Sequence, residues 1–542
     1  MDPGKSIRTP VLIVGAGPAG LALAIELGSR EVECLVVERN DRVGYAPRAK
    51  TTHVRTREHL RRWGIADKLA TASPFGIDYP SNVAFVTRLA GPKLAQFDNA
   101  FHCAPQRNDL YSEHAQWIPQ YLLEEVLRAH VQTLPSVEIR FNTEFLSCEQ
   151  DTDRVRSQLR DVSSGAQFSV QSDHLVGADG ARSAVRASIG AKMEGLYGLS
   201  RNYNVVFRAP GLADAHAHGP AIMYWHVNPD APGLLGPMDS GDKWFFMPTK
   251  LPEGTKLSNA DAAAMICTAT GIDLPYEILS SDEWVASRLI ADKYRDRRIF
   301  LAGDACHLHP PFGGYGMNMG IADSVDLGWK LAARLRGWGG PSLLESYERE
   351  RRPVHEYVMD EAVANHSVLA NQFWHVGLDA PTAEGEALRR RIGELIMETK
   401  AREFRTLGVV LGYHYDESPI LVSDGTEPPT RDFRHYTPCA RPGCVAPHAW
   451  LEDGRSLYDT FGSGFTLLVM NGAGGQRIEN FCNEASSAGI PLTVTTTTDP
   501  LIRALYQANY ALIRPDQHVA WRGNTMPDLR RLRLACGYPC EL

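Results

Sequence analysis

Val11-Leu-Ile-Val14-Gly15-Ala-Gly17-Pro-Ala-Gly20-Leu-Ala-Leu-Ala-Ile-Glu-Leu27, followed by Cys34-Leu-Val-Val-Glu38, decides the fold. Val11–Val14 is a short, wholly apolar run of the kind found in parallel strands covered on both faces. The glycines follow at once, with Pro18 and Ala19 between them. Residues 21–27 are good helix formers at helical spacing, and residues 34–38 form a second buried-type strand that closes on an acid. Strand, tight turn, helix and strand in this order make the first unit of a doubly wound α/β domain. Glycines permit the turn and let a pyrophosphate approach the backbone. The helix start then offers unpaired N–H groups and a positive dipole end. Glu38 stands where an acid can accept hydrogen bonds from a ribose.

The glycine motif alone does not separate NAD from FAD, but three later segments point to FAD. Asp179-Gly-Ala-Arg182 closes the apolar strand His174–Ala178, and Gly303-Asp304 closes Arg298–Ala302. Pro310-Pro-Phe-Gly-Gly-Tyr-Gly-Met-Asn318 then runs into a helix. The Asp304 carboxylate can bind ribityl hydroxyls, or it can act as a helix N-cap, and the two roles are compatible. A helix beginning near Gly316 would aim N–H groups at the negative charge of a reduced flavin.

Outward from these motifs, residues 50–70, 117–132, 316–336 and 342–375 read as helical. The helix at 117–132 carries Leu122, Val126 and Leu127 as its apolar stripe. Between about 200 and 290 the texture changes to short β runs: Tyr203–Phe207, Ala221–Val227 and Lys243–Met247. These predict an antiparallel sheet. A polar, Pro-rich stretch near 416–447 reads as a linker before strands Phe465–Met470 and Leu492–Thr496. The expected division is an FAD-binding domain at 1–185 and 286–400, a substrate-binding sheet at 186–285, a linker at 401–430 and a C-terminal domain at 431–542.

The 542 residues suffice for two to four domains, and their 44 % apolar and 22 % charged composition is ordinary for a globular chain. A net charge of −8 argues against nucleic acid or an anionic membrane as the main partner. The ten cysteines show no metal-site spacing and read as reduced thiols. With no signal-peptide pattern and no apolar run long enough to span a bilayer, the expected location is cytoplasmic.

Together the three motifs resemble the single-component FAD-dependent aromatic hydroxylases, in particular the phenol hydroxylase and pentachlorophenol monooxygenase branch. The resemblance is strong from residue 10 to about 360. It is weaker to the end, where Ile513-Arg-Pro-Asp-Gln-His-Val-Ala-Trp-Arg522 matches the family's C-terminal domain. It implies a Rossmann-type FAD domain, an antiparallel substrate sheet and a thioredoxin-like C-terminal domain, here lacking Cys-x-x-Cys and so suited to a structural or dimer-supporting role. By position it implies ADP contacts at Gly15, Gly17, Pro18, Ala19, Gly20, Glu38 and Arg39. Arg48 would lie near the flavin, and Gln120 and Asp304 along the ribityl chain. Asp179 would serve FAD and nicotinamide use, and Pro311, Gly316, Met317 and Asn318 would form the flavin-ring loop. Phe312 replaces a threonine common in the family and is expected to border the substrate.

The activity implied is hydroxylation of a phenol-like or hydroxylated heteroaromatic ring with NADPH or NADH and O₂, through a flavin C4a-hydroperoxide. Such an electrophile favours a phenolate over a phenol, whose pKa lies near ~10. His53 is the candidate base, since an imidazole of pKa ~6.5 exchanges protons at working pH. A plain hydrogen bond to backbone at a helix start would explain it equally well. Tyr224 and His226, on one face of their strand, are the candidate pocket wall. No arginine clamp for a carboxylate stands out, which favours an uncharged small aromatic substrate. A homodimer is compatible with this reading. A flavin halogenase is disfavoured because only Trp117-Ile-Pro119 remains of the Trp-x-Trp-x-Ile-Pro motif. A non-catalytic flavoprotein is disfavoured by the intact Pro-rich loop.

Overall fold

In the computed structural model, which describes residues 7–41, 49–249, 251, 254–472 and 475–539, strand Ile7–Val14 sits inside a mixed sheet. Its neighbours are Gln167–Gly177 and Cys34–Val37, both parallel to it. Ile299–Leu301 and Val137–Arg140 extend the parallel set, and Arg295–Asp296 closes one edge. Val11, Leu12 and Ile13 are fully buried, which accounts for their unbroken apolar run. An antiparallel pair, Thr143–Gln150 and Val155–Asp161, hangs on the long strand Gln167–Gly177.

Helix Pro18–Gly28 is buried from Gly20 onward, held between this sheet and the long helix Tyr315–Leu335. Helix Gln120–Val131 buries Leu123, Leu127 and Val131; of the stripe expected at Leu122, Val126 and Leu127, only Leu127 is fully buried and the other two are partly covered. The i, i+4, i+8 spacing of the buried set is the better helical face.

The second sheet runs His307–Leu308, Glu277–Ala291, Met193–Arg208, Lys243–Pro248, Gly233–Pro237, Met223–His226, Val83–Val86, Lys93–Phe97. It is antiparallel except where Met223–His226 pairs parallel with Val83–Val86. Its last two strands come from far upstream, so the sheet is not confined to 186–285. Helix Asn259–Thr270 packs on the outer face, against Tyr224, Trp244 and Phe246. The inner face, carrying Trp225 and Phe245, meets Phe312 and Tyr315.

The C-terminal domain has strand order Leu492–Thr496, Phe465–Val469, Tyr510–Ile513, Val519–Gly523, the first two parallel and the third antiparallel to its neighbours. With helices Gly475–Ser487, Pro500–Tyr506 and Leu529–Ala535 this is the thioredoxin-like arrangement. Of the segment read as a linker, the part up to Ile420 is packed, with Tyr413, Tyr415 and Ile420 buried, while residues 421–439 are half-buried or exposed. Arg514 leaves the domain and enters the first one, where Asp326 and Glu350 meet it with Asp516, all essentially inaccessible to solvent.

Candidate active site

The carboxyl ends of three parallel strands line up. Gly15 N donates to Val37 O, Ala178 N to Val14 O and Ala302 N to Gly177 O, at 2.8–2.9 Å. This brings the glycine turn, Asp179 and Asp304 to one edge of the sheet, where open α/β sheets bind ligands. The glycines there do different jobs. A Cβ on Gly20 would lie 1.9 Å from Gly15 O, so Gly20 is closed off by its own turn, whereas a Cβ on Gly17 would meet nothing within 4 Å. Gly17 is also the N-cap of helix Pro18–Gly28 and supplies no side-chain cap, so the first-turn N–H groups face that same open space. Gly303 packs against this turn, since a Cβ there would stand 3.1 Å from the Ala19 Cβ.

Glu38 accepts from Ala16 N at 3.0 Å through Oε2 and from Asn40 through Oε1, tying the acid to the glycine turn. Arg39 is exposed beside it, and Arg48 lies outside the described residues. Gln120 N donates to Ala49 O at 2.9 Å, and its side chain donates to Glu124 Oε1 at 2.7 Å. Asp179 departs from expectation. Its Oδ2 accepts from Ala184 N and Val185 N at 2.7 and 3.2 Å, and Ser183 Oγ donates to Oδ1. The carboxylate is committed to the start of helix Ala184–Ser188. Asp304 sits exposed in a single 3-10 turn, Gly303–Ala305, and is not an N-cap.

That turn is held by a buried acid the sequence reading passed over. Asp323 accepts from Gly303 N at 3.1 Å, from Arg351 Nε at 2.8 Å and pairs with His307 and His355 Nε2 at 2.7 Å each. Burial opposes its ionisation, yet His355, His307 and Arg351 keep its pKa well below the usual carboxylate range. Only the fold brings these three segments together.

The Pro-rich loop turns at Gly314, whose N donates to Pro311 O, and delivers the uncapped start of helix Tyr315–Leu335. Gly316 is open, with the His309 Cβ 4.0 Å from where its own would lie, and Met317 is partly buried. Asn318 ties this loop down. Its Nδ2 donates to Thr51 O (2.9 Å) and Gly314 O (2.7 Å), while Oδ1 accepts from His53 N (2.9 Å) and Thr56 Oγ1 (2.7 Å). All its side-chain capacity clasps the loop to the segment 51–56, leaving none for a ligand.

His53 ends this segment as the N-cap of helix Val54–Arg62, but its side chain does not cap it. The ring is 1 % exposed, and neither nitrogen has a hydrogen-bond partner of good geometry, the nearest candidate being the Gly313 backbone. Phe101 stacks on it at 6.4 Å and Tyr315 meets it edge-on at 5.5 Å. Phe101 and His102 sit at φ of 60° and 62°, so the loop facing His53 is held in a conformation that bulky residues rarely adopt. Burial pushes the His53 pKa down to about 4, against the pull of the Gly313 backbone and with His102 adding to the lowering.

Tyr224 and His226 are on the wrong face for a pocket wall. Tyr224 donates to Gly219 O at 2.6 Å and packs in the outer cluster, and the His226 ring lies tilted 6.3 Å from Phe246 of that cluster. Trp225, between them, faces inward and lies 6.1 Å from Phe312. Strand alternation put the two sets on opposite faces, and packing of helix Asn259–Thr270 decided which is inside.

A family model described as an FAD binding domain matches residues 8–362, and one described as the C-terminal region of aromatic-ring hydroxylases matches 439–537. The chain belongs to the FAD-dependent aromatic-ring hydroxylases. It is 33 % identical to tetracenomycin B2 monooxygenase-dioxygenase of Streptomyces olivaceus, over 96 % of each chain. It is 31 % identical to 2,4-dichlorophenol 6-monooxygenase of Delftia acidovorans, over 95 % of each. The rebeccamycin biosynthetic enzyme RebC, solved with reduced flavin, superposes with a TM-score of 0.89 at 33 % identity, covering 98 % of this chain and 100 % of that one. As a member of this hydroxylase family the protein is an FAD-dependent monooxygenase of aromatic rings that uses NAD(P)H and O₂. Among the described residues no helix is long and apolar enough to cross a membrane.

Proposed function

We propose that this hydroxylase acts on a phenolic ring held between the Pro-rich loop and the inner face of the second sheet, with His53 taking the phenolic proton. The observation that carries this is the His53 ring itself: buried, unpartnered at both nitrogens and set against the Gly313–Gly314 turn. A buried polar group without a partner is costly, so a ligand that supplies one is favoured there.

FAD fits the residues present. The open approach at Gly17, the uncapped helix start behind it, Glu38 and the exposed Asp304 suit its pyrophosphate, ribose and ribityl groups. Pro311, Gly316 and Met317 would flank its ring. When bound, FAD supplies the electrophilic oxygen. The chain's own part is positional and acid–base. Asn318 holds the loop against residues 51–56, so one clasp sets both the loop and His53. Phe312, Trp225, Tyr315 and Phe101 exclude water and present apolar walls to a flat ring. With its pKa near 4, His53 is neutral at working pH and offers a ring nitrogen to the phenolic proton, a transfer that also requires the phenolate oxygen to be stabilised.

Single-ring and fused-ring phenols both belong in the test, since the relatives include one named for 2,4-dichlorophenol and one named for tetracenomycin B2. The holoenzyme would be screened with 2,4-dichlorophenol, 1-naphthol, 1,8-dihydroxyanthraquinone and their methyl ethers. Readouts are stimulated NAD(P)H consumption and product mass. One oxygen atom gained by a phenol but not by its ether supports the reading. Equal turnover of the ethers would remove His53 as a base.

A further inference from the structure

Two lysines reach the inner apolar cluster, and they are handled differently. Lys400 stands 4.9 Å over Trp225 and is 1 % exposed, and it has partners: Glu403 forms an ion pair with it and Val368 O accepts at 3.0 Å. Lys50 is 8 % exposed, with Nζ 3.9 Å above the centre of the Phe245 ring. Among the described residues it makes no ion pair, and no coulombic partner offsets the burial that draws its pKa down to about 7. Residues 42–48, Arg-Val-Gly-Tyr-Ala-Pro-Arg, contain no acid that could serve. The face of a phenylalanine returns only a small part of the hydration an ammonium loses on burial. Among the described residues the Lys50 amine therefore meets no counter-charge, and it packs on the cluster that also supplies Phe101 and Tyr315 around His53, three residues before His53 and one before Thr51, which Asn318 clasps.

We infer that Lys50 is the anion-recognition group of the aromatic-substrate site, its ammonium donating to the ionised oxygen of a phenolate or enolate substrate. This rests on the phenol-hydroxylase reading above and completes it. An imidazole as weakly basic as His53 cannot by itself hold a proton taken from a phenol of pKa ~10. A fixed cation beside the oxygen lowers the energy of the phenolate and makes the transfer feasible. The sequence hides this, because Lys50 reads as one more basic residue in Pro47-Arg-Ala-Lys50.

The test uses FAD-loaded wild type, Lys50→Met, which keeps length and removes charge, and Lys50→Arg, which keeps charge. 4-Nitrophenol, 1,8-dihydroxyanthraquinone and the methyl ether of each are titrated at one fixed pH. Ligand affinity is followed, as is the bound ligand's visible spectrum, which reports ionisation directly. FAD affinity is measured in parallel. Wild type is expected to bind the phenols with an enriched phenolate band. Lys50→Met should lose roughly ten- to a hundredfold in phenol affinity and lose that band, with ether and FAD affinities changed less than about threefold. Lys50→Arg should retain the band. The inference is overturned if Lys50→Met binds phenols as wild type does, or if ether and FAD affinities fall as much as phenol affinity. A wild type that hydroxylates phenols while Lys50→Met keeps full phenolate binding sinks Lys50 and spares the hydroxylase reading. Lys50-dependent phenolate binding without any oxygenated product does the reverse. A wild-type holoenzyme that binds none of the four counts against both.

Discussion

The backbone N–H of His53 donates to the side-chain Oδ1 of Asn318 at 2.9 Å, across 265 positions of sequence. The same amide grips Gly314 and Thr51, so one side chain ties the Pro-rich loop to the entry of helix Val54–Arg62, where His53 stands.

Asn318→Ala removes four buried hydrogen bonds and strands the donors of His53 and Thr56. A loss of about 2–4 kcal/mol in unfolding free energy is expected, together with weaker FAD retention. Asn318→Asp keeps the acceptor but loses both donations and should not rescue. Denaturant unfolding of the holoenzyme followed by flavin fluorescence measures both effects. Unchanged stability in Asn318→Ala would mean the clasp is dispensable.

Gly17 and Gly20 should separate binding from folding. Gly20→Ala forces a Cβ to within 1.9 Å of Gly15 O, so expression of folded protein should collapse. Gly17→Ala meets nothing in the protein and should fold with near-normal thermal stability as apoprotein, yet bind FAD at least tenfold more weakly. Equal behaviour of the two variants would show that the open space at Gly17 is not the cofactor's approach.

His53→Gln should slow hydroxylation of a phenol about 10²–10⁴-fold while flavin reduction by NAD(P)H changes little, because hydride transfer does not need that base. Stopped-flow absorbance resolves the two steps. The folded-state pKa near 4 is below the ordinary value of ~6.5, so the unfolded chain takes up a proton first as pH falls. The stability contribution is whole above ~6.5 and is lost as pH falls from there toward about 4. His53→Gln should flatten that part of the stability–pH curve. An unaltered curve would place the ring in a more polar setting than the fold shows.

Trp225 and His226 test which face of the second sheet matters. Trp225→Ala should weaken substrate affinity at least tenfold through loss of a pocket wall. His226→Leu, which replaces a fully buried ring with both nitrogens unpartnered, should leave substrate affinity within about twofold and keep or raise stability. The opposite ranking would restore the outer face as the site.

Arg514→Met leaves Asp326 and Glu350 to Lys330, and Asp516 to His518, all buried. A loss of about 3–5 kcal/mol is expected, since removing one partner of a buried network strands the others. Helix Val54–Arg62 should loosen with it, because Arg55 in that helix donates to Asp516 O and Gln517 Oε1. Hydrogen exchange at residues 54–62 would report this, and protection equal to wild type would argue against a bracing role for the C-terminal domain.

What the sequence determined by itself is local: the strand–glycine–helix unit, the acids that close Gln167–Gly177 and Ile299–Leu301, and the Pro-rich loop entering a helix. Each is legible because turn geometry, helix starts and buried strands impose residue types at short spacing. His53 was legible as a candidate base, though not its isolation from partners. The tertiary structure alone decided which face of Met223–His226 is inward, that Val83–Val86 completes that sheet, and that Asp179 and Asn318 spend their side chains on the protein. It also assembled Asp323 with His307, His355 and Arg351 and, among the described residues, left Lys50 without a counter-charge. Such facts depend on which distant segments share a space. Burial and the pairing of charge are properties of that space, and no short pattern of residues encodes them.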